Sequence, residues 1–433
     1  MRLVTENKPI LIITYYWPPS GGSGVQRWLK FVKFFPQYGI TPIVFTPADP
    51  HFEIKDPSLL ADIPSETEIL HFPIWEPYQL VDRVKRFFGD RKKGKTQSIA
   101  QPKGFLGFIR ANFFIPDPRV FWVQPSVHFL KDFIQEHKIE KIVTTGPPHS
   151  VHLIGLRLKK EVPNLKWLAD FRDPWTTWGF LLGMRPTKLA LAIHKKLEQR
   201  VLHSADAVTT VSPFYGRQLG GLASRRVNVF TNGFDVSDFK DLRHSWTPSF
   251  VIRHVGILHP ACDYVPFLKV LSRWILKNSL QESVEVRFTG HVHDRFATFV
   301  QEDAVLKRVV KVESAVDHSE LIRLYGQTSA VVLLLTGYKD AEGFLPGKLF
   351  EYLATGLPLI AVGPSQGDAA QVLKETQAGM MADSNDEQAI EQNIENAYSL
   401  WKQKKAFIPM PESAMVFSRE RIAARMSEYL KSL

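Results

Sequence analysis

The runs Ile10-Leu11-Ile12-Ile13, Ile43-Val44-Phe45 and Val331-Val332-Leu333-Leu334-Leu335 are unbroken apolar stretches of strand length. Strands of that kind are buried on both faces, which happens when helices cover a parallel sheet on each side. Helix-length segments stand where that arrangement needs them. Residues 24–35 carry Val25, Trp28, Leu29, Val32 and Phe35 at helical spacing, and Pro36 closes the helix. A strand over 41–46 then completes one βαβ unit. Further strands are expected at 141–145, 166–170, 207–211 and 227–230. A second series starts at 250–256 and continues at 285–290, 309–312, 330–335 and 357–362, with a helix over 348–354 between the last two. The boundary between the series falls near 232–248. Residues 418–432 place Ile422, Met426 and Leu430 on one helical face, so the chain ends in an amphipathic helix. The fold class is α/β, with two doubly wound parallel-sheet domains. Ligands of such sheets bind at the carboxyl ends of the strands.

Composition supports this division. A chain of 433 residues is long for one core and suits two domains. No run of about eighteen uncharged apolar residues occurs, so no membrane-spanning helix is expected. The first eight residues lack an apolar core before their charges, so no secretory signal is expected. Cys262, the single cysteine, excludes an internal disulfide, fits a reducing compartment and reads as core filler. Charge is uneven: residues 1–230 hold 32 Lys and Arg against 19 Asp and Glu, and residues 231–433 hold 22 against 25. Much of the excess lies between Asp82 and Arg110, where Phe87, Phe88, Phe105 and Phe108 interleave with Lys and Arg. That composition suits a solvated loop, an interfacial membrane contact or a nucleic acid.

Two segments carry chemistry. Gly21-Gly22-Ser23-Gly24 follows the first strand and opens a helix, so backbone N–H groups can approach an oxyanion. It does not fit G-x-G-x-x-G, and no acidic residue closes the second strand, which argues against a nicotinamide cofactor. Pro346-Gly347-Lys348-Leu349-Phe350-Glu351 opens the helix before the last strand. There a lysine and a helix N-terminus face the same anion.

These segments, taken with Tyr15-Tyr16-Trp17-Pro18-Pro19, Gly146-Pro147-Pro148-His149-Ser150 and Ala169-Asp170-Phe171-Arg172-Asp173-Pro174-Trp175, resemble glycosyltransferase family 4. The blocks run from about residue 10 to about residue 360 in family order. The resemblance implies a GT-B architecture: an acceptor-side Rossmann-like domain at 1–232, a nucleotide-sugar domain at 233–414, and a helix at 415–433 that crosses back. It also implies retaining, metal-independent transfer, with no tightly bound cofactor and no metal ligands. The donor would be a nucleotide-diphosphate sugar and the acceptor a glycan or polyprenyl-linked molecule, in surface polysaccharide biosynthesis. The implied setting is cytoplasmic, with room for peripheral contact with anionic membrane, and nucleic acid is not among the implied partners.

Residue by residue, the resemblance gives Glu351 the donor ribose, and gives Lys348, with Leu349 beside it, the phosphates. Gly21, Gly22 and Gly24 aid the phosphates, and Ser314 and Val316 offer main-chain atoms to the base. His149, Arg172 and Asp173 fall at the catalytic end. The motif's first glutamate would fall at Gly343, and Glu342 is the substitute one residue earlier. The alternatives are a sugar-nucleotide epimerase of the same fold and a binding protein without turnover.

Overall fold

The computed structural model describes residues 8–50, 52, 55–76, 105–177, 179–405, 407 and 412–433. Most of the basic, Phe-rich segment between Asp82 and Arg110 lies outside these residues. The chain divides into two compact units, Met1–Phe230 with Ala423–Leu433 and Thr231–Ile422.

In the first unit seven strands form one sheet in the order β3-β2-β1-β4-β5-β6-β7. They are β1 (Lys8–Ile13), β2 (Ile40–Pro47), β3 (Glu68–Phe72), β4 (Lys141–Gly146), β5 (Lys166–Phe171), β6 (Ala207–Thr210) and β7 (Asn228–Val229). Every neighbouring pair is parallel. The order reverses between β1 and β4, so the crevice of the sheet opens where those two strands end. The end of the chain belongs to this unit too. Tyr429 Oη accepts from Asn228 Nδ2 at 2.7 Å, and Lys141 Nζ donates to the Leu430 carbonyl at 2.7 Å.

The second unit has six parallel strands, β10-β9-β8-β11-β12-β13. They are β8 (Phe250–Val255), β9 (Val284–Thr289), β10 (Val310–Glu313), β11 (Ala330–Leu334), β12 (Leu359–Val362) and β13 (Met381–Ala382). Two separate apolar clusters sandwich this sheet, one around Phe267, Trp274 and Ile390, the other around Tyr352, Phe350 and Leu373. β8 and β11 pair at only two positions, Ile252 and Arg253, and separate beyond them. The gap at the reversal of strand order therefore begins at His254. Gly233 owes its identity to close approach, because a Cβ there would lie 2.1 Å from the Phe417 carbonyl oxygen.

The expected strands are present, with two additions at sheet edges, β3 and β13. No helix among the described residues is long and apolar enough to cross a membrane.

One buried ion pair organises the first unit. Arg27, in the helix Ser23–Phe34, donates Nε and Nη2 to Asp170 of β5 at 3.1 and 2.9 Å. Trp28 Nε1, Thr145 Oγ1 of β4 and Thr209 Oγ1 of β6 also donate to the same carboxylate. Burial raises the Asp170 pKa, but Arg27 and the donors outweigh it and hold the carboxyl below its ordinary value. Removing one partner leaves the other as an uncompensated buried charge. Asp170→Asn is expected to destabilise the first unit by about 3–5 kcal/mol in urea unfolding. Because the folded pKa is depressed, the contribution of the pair is present above the unfolded value of about 3.9 and is lost as pH falls through the folded one.

Candidate functional site

The first unit brings three loops together at the carboxyl ends of β1, β4 and β5. Gly22 caps the helix Ser23–Phe34 at φ +87°, with no side chain accepting from the first turn. No side chain competes for the helix's first N–H groups, of which Val25 N reaches the Gly22 carbonyl at 3.3 Å. Gly21 stands just before it, and Gly24 lies in the first turn, where a Cβ would meet Arg172 Nη1 at 2.8 Å. Arg172 binds the Gly24 carbonyl through Nη1 and the Pro147 carbonyl through Nη2, and its Nε reaches the Gly146 carbonyl at 3.3 Å. It also lies over the Tyr16 ring. A guanidinium spent on three carbonyls clamps the loops together. Three of its five N–H donors are committed to these carbonyls, so its part in this geometry is to hold the loops.

Asp173 is different. Burial pushes its carboxyl up to about 6, against the pull of Arg172, and it makes no hydrogen bond among the described residues.

His149 precedes the helix Ser150–Glu161, and the cap of that helix comes from elsewhere. Asp117 Oδ2 accepts from Ser150 N, and Oδ1 from Ser150 Oγ, each at 2.9 Å. The His149 ring is thereby freed from capping. It stacks flat on Trp175, with centroids 4.9 Å apart and planes 1° from parallel, and its Nδ1 is buried without a partner. Burial, followed by the charges of neighbouring His152 and Arg172, holds its pKa well below the ordinary histidine value. Trp175 is itself fixed: its indole N–H donates to His194 Nδ1 at 3.0 Å, and its backbone N–H to Glu198 Oε1 at 3.2 Å. His152 turns inward instead. Its Nδ1 pairs with Thr144 Oγ1 at 2.9 Å, it stacks on Phe171, and burial takes its pKa to about 3.

In the second unit the helix Gly347–Thr355 starts after Pro346 with no side-chain cap. Lys348 places Nζ 3.1 Å from His254 Nε2, and within 3.8 Å of where a Cβ on Gly256 would stand. The ammonium therefore sits at the end of β8, beside the gap between β8 and β11. Burial pulls its pKa down to about 8, while Cys262 and Glu351 act in the other direction. Burial and Lys348 keep His254 neutral. Glu351 stands one turn beyond Lys348 on the same helical face. Burial, and after it the charge of Glu351, raises the pKa of Tyr325, whose hydroxyl has no partner among the described residues. Tyr352 ties the helix to β8, its oxygen accepting from Val255 N at 2.9 Å.

Leu349 is fully buried in the core, so only its backbone can face a ligand. Ser314 and Val316 lie exposed in the loop after β10. Gly343 is buried in the turn Ala341–Gly343, whereas Glu342 is exposed. The two residues occupy different faces of that turn, so Glu342 does not stand where a residue-343 side chain would. Cys262 is buried in the core, with its thiol pushed up to about 11 by burial.

Sequence reasoning missed Asp117, His194, Glu198 and His254. The first three act on residues 19 to 33 positions away, a separation that no periodic pattern reveals. His254 had a signal, a charged and a polar residue in mid-strand within Ile252-Arg253-His254-Val255.

Residues 251–399 match the family model described as glycosyl transferases group 1, so the second unit carries a glycosyltransferase domain. The chain as a whole has the GT-B fold. It superposes on sucrose-phosphate synthase from Thermosynechococcus elongatus with TM-score 0.62 and 15% identity, over 98% of each chain. It superposes on a structure titled trehalose-6-phosphate from E. coli, bound with UDP-2-fluoro glucose, with TM-score 0.64 and 10% identity, over 98% of this chain and 99% of the other. A putative UDP-N-acetylglucosamine 2-epimerase from Listeria monocytogenes gives TM-score 0.56 at 10% identity, over 98% and 96%. No curated protein matches the sequence.

A neutral, stacked His149 predicts an imidazole that does not titrate near pH 6.5. Nitrogen-15 spectra of the histidine rings should show His149 in one neutral tautomer from pH 8 down to pH 5. A midpoint near the ordinary value would refute the desolvation assigned to it.

Proposed function

We propose that the protein is a retaining, metal-independent glycosyltransferase that moves a sugar from a nucleoside-diphosphate donor to a glycan or lipid-linked acceptor. The observation that carries this reading is the Lys348 ammonium at the end of β8, with Glu351 one turn on and a helix N-terminus behind it. In this reading residues 233–414 hold the donor and residues 1–232 the acceptor, and residues 415–433 form the returning helix. Lys348 and the N–H groups of the helix Gly347–Thr355 take the diphosphate, whose charge grows as the glycosidic bond breaks. The glycine turn Gly21 to Gly24 of the first unit offers backbone N–H groups of a kind that suits an oxyanion. Glu351, an acceptor-only carboxylate, suits the two ribose hydroxyls. Ser314 and Val316 present main-chain atoms to the base.

His149 and Asp173 supply polar atoms for the sugar and the acceptor hydroxyl. In a reaction without a covalent intermediate they bind and stabilise the oxocarbenium-like transition state, in contrast to a hydrolytic carboxylate pair. Surface polysaccharide assembly at the inner face of a membrane is the proposed setting, supported by the basic, Phe-rich composition of residues 82–114.

Purified protein incubated with labelled nucleotide sugars should release nucleotide only when acceptor is present. Interconversion of the sugar nucleotide without acceptor would instead establish the epimerase. Glu351→Ala should weaken nucleotide binding severely in calorimetry while the fold persists. Lys348→Ala should cost turnover about 2–4 kcal/mol, the scale of a lost oxyanion donor. The lysine is charged below about pH 8. Nucleoside diphosphate affinity should therefore fall as pH rises through that value, and Lys348→Met should abolish the dependence. An unchanged pH profile in that variant would return the lysine to a structural role.

A further inference from the structure

The first unit contains a cavity of about 230 Å³ beside His149, smaller than the roughly 300–1,000 Å³ of pockets that enclose a whole ligand. Its walls include Ala111, Pro116, Pro174, Phe180, Leu181 and Met184. Two charged residues that line it are already committed. Both Asp117 oxygens serve Ser150, and Oδ1 also takes the Arg119 N–H; Arg119 itself binds Glu76 and the Tyr15 hydroxyl. Those groups close the cavity without offering hydrogen bonds to an occupant. A hexose there would lose water from several hydroxyls and regain few partners.

Three polar groups in the lining make no hydrogen bond among the described residues: the Tyr16 hydroxyl, His149 Nδ1 and the Arg110 guanidinium. His149 Nδ1 is buried without a partner, in a side chain 9% exposed. Arg110 has its guanidinium 5.3 Å over the Phe180 ring and no acidic partner among the described residues. The surface around Arg110 is apolar as well. Phe108 and Phe113 of the same helix, Phe105–Phe113, are exposed, the latter by 75%. Asn112 Oδ1 accepts from Thr187 N at 2.7 Å, which brings up the helix Lys188–Ser204, where Leu189 and Ile193 are exposed on successive turns.

We propose that this cavity takes the hydrocarbon segment of an amphiphilic acceptor, a linear isoprenoid or acyl chain joined to phosphate, and that Arg110 takes the phosphate. The inference rests on the reading that the first unit holds the acceptor, and it names the class of that acceptor. An apolar cavity edged by a cation with no acidic partner among the described residues matches a chain that ends in an anion. The apolar walls and the cation at their edge suit such a chain better than an uncharged sugar, whose several hydroxyls would find few partners there. The exposed Phe and Leu side chains extend the apolar path for the part of the chain that a cavity of this size cannot hold.

The full-length protein is titrated by calorimetry with farnesyl phosphate and with lauroyl lysophosphatidic acid, each below its micelle concentration. Inorganic phosphate and glucose 6-phosphate serve as controls. One amphiphile should bind saturably, and which one binds distinguishes the isoprenoid from the acyl source; neither control should displace it at equal concentration. Leu181→Trp, which fills the cavity, and Arg110→Glu, at its half-exposed edge, should each weaken that binding at least tenfold. Arg110→Glu removes no core packing, so a folding failure of the first variant does not decide the matter. Lys348→Ala should lose UDP and GDP binding and keep the amphiphile, which separates failure of the donor reading from failure of this one. Absence of binding by both amphiphiles, wild-type affinity in Arg110→Glu, or displacement by glucose 6-phosphate would overturn the proposal.

Discussion

The first unit depends on the Asp170 carboxylate. Five hydrogen bonds converge on it from Arg27, Trp28, Thr145 and Thr209, so one buried charge joins the first helix to β4, β5 and β6. Arg27 also donates to the Phe230 carbonyl at 2.7 Å, which fixes the far end of the sheet to the same point. The glycine turn is placed by this arrangement, because the helix held by Arg27 and Trp28 begins at Gly22. Two residues beyond Asp170, Arg172 clamps the Gly24 and Pro147 carbonyls. Burying so much charge costs solvation and is returned only through complete pairing. The result is three loops whose backbone has few alternatives.

The adjacent residues Asp170 to Asp173 divide the work by burial. Asp170 is saturated and held ionised, Arg172 holds main-chain carbonyls, and Asp173 makes no hydrogen bond among the described residues and has a raised pKa. In sequence, the Arg between two Asp invites an ion-pair knot among the three. The partner of Asp170 is instead Arg27, 143 residues away. Spacing could locate the cluster but could not assign its partners, since a strand end presents successive side chains to opposite faces.

What was legible follows the same rule. β1, β11 and β12 are central strands covered on both faces, so their apolar runs are continuous and stand out. β3 is half exposed and β13 has two residues, and edge strands of that kind leave no continuous pattern. The motif at Lys348 and Glu351 was legible because one helical turn holds both residues. The support of His149 was not, because it comes from Asp117 as a remote cap, from Trp175 by stacking, and from His194 and Glu198 behind Trp175. Gly343 and Glu342 show the limit of a motif read by position: a shift of one residue in a turn moves a side chain from the interior to solvent.

Lys348 and His149 illustrate two uses of desolvation. An ammonium withdrawn from water, with a neutral imidazole as its near partner, is poorly satisfied until an anion arrives, and the lowered pKa measures that deficit. Binding a diphosphate would relieve the deficit, so the cost already carried in the free protein makes anion capture more favourable. For His149 the lowered pKa keeps the ring neutral, which in the proposed reaction would spare a developing oxocarbenium ion a like charge, while stacking on Trp175 fixes the ring plane. The same physical term, burial, therefore disfavours a positive charge at a lysine in one unit and at a histidine in the other. A substitution that lets water into one of these places should move the pKa there, and only there, toward its ordinary range.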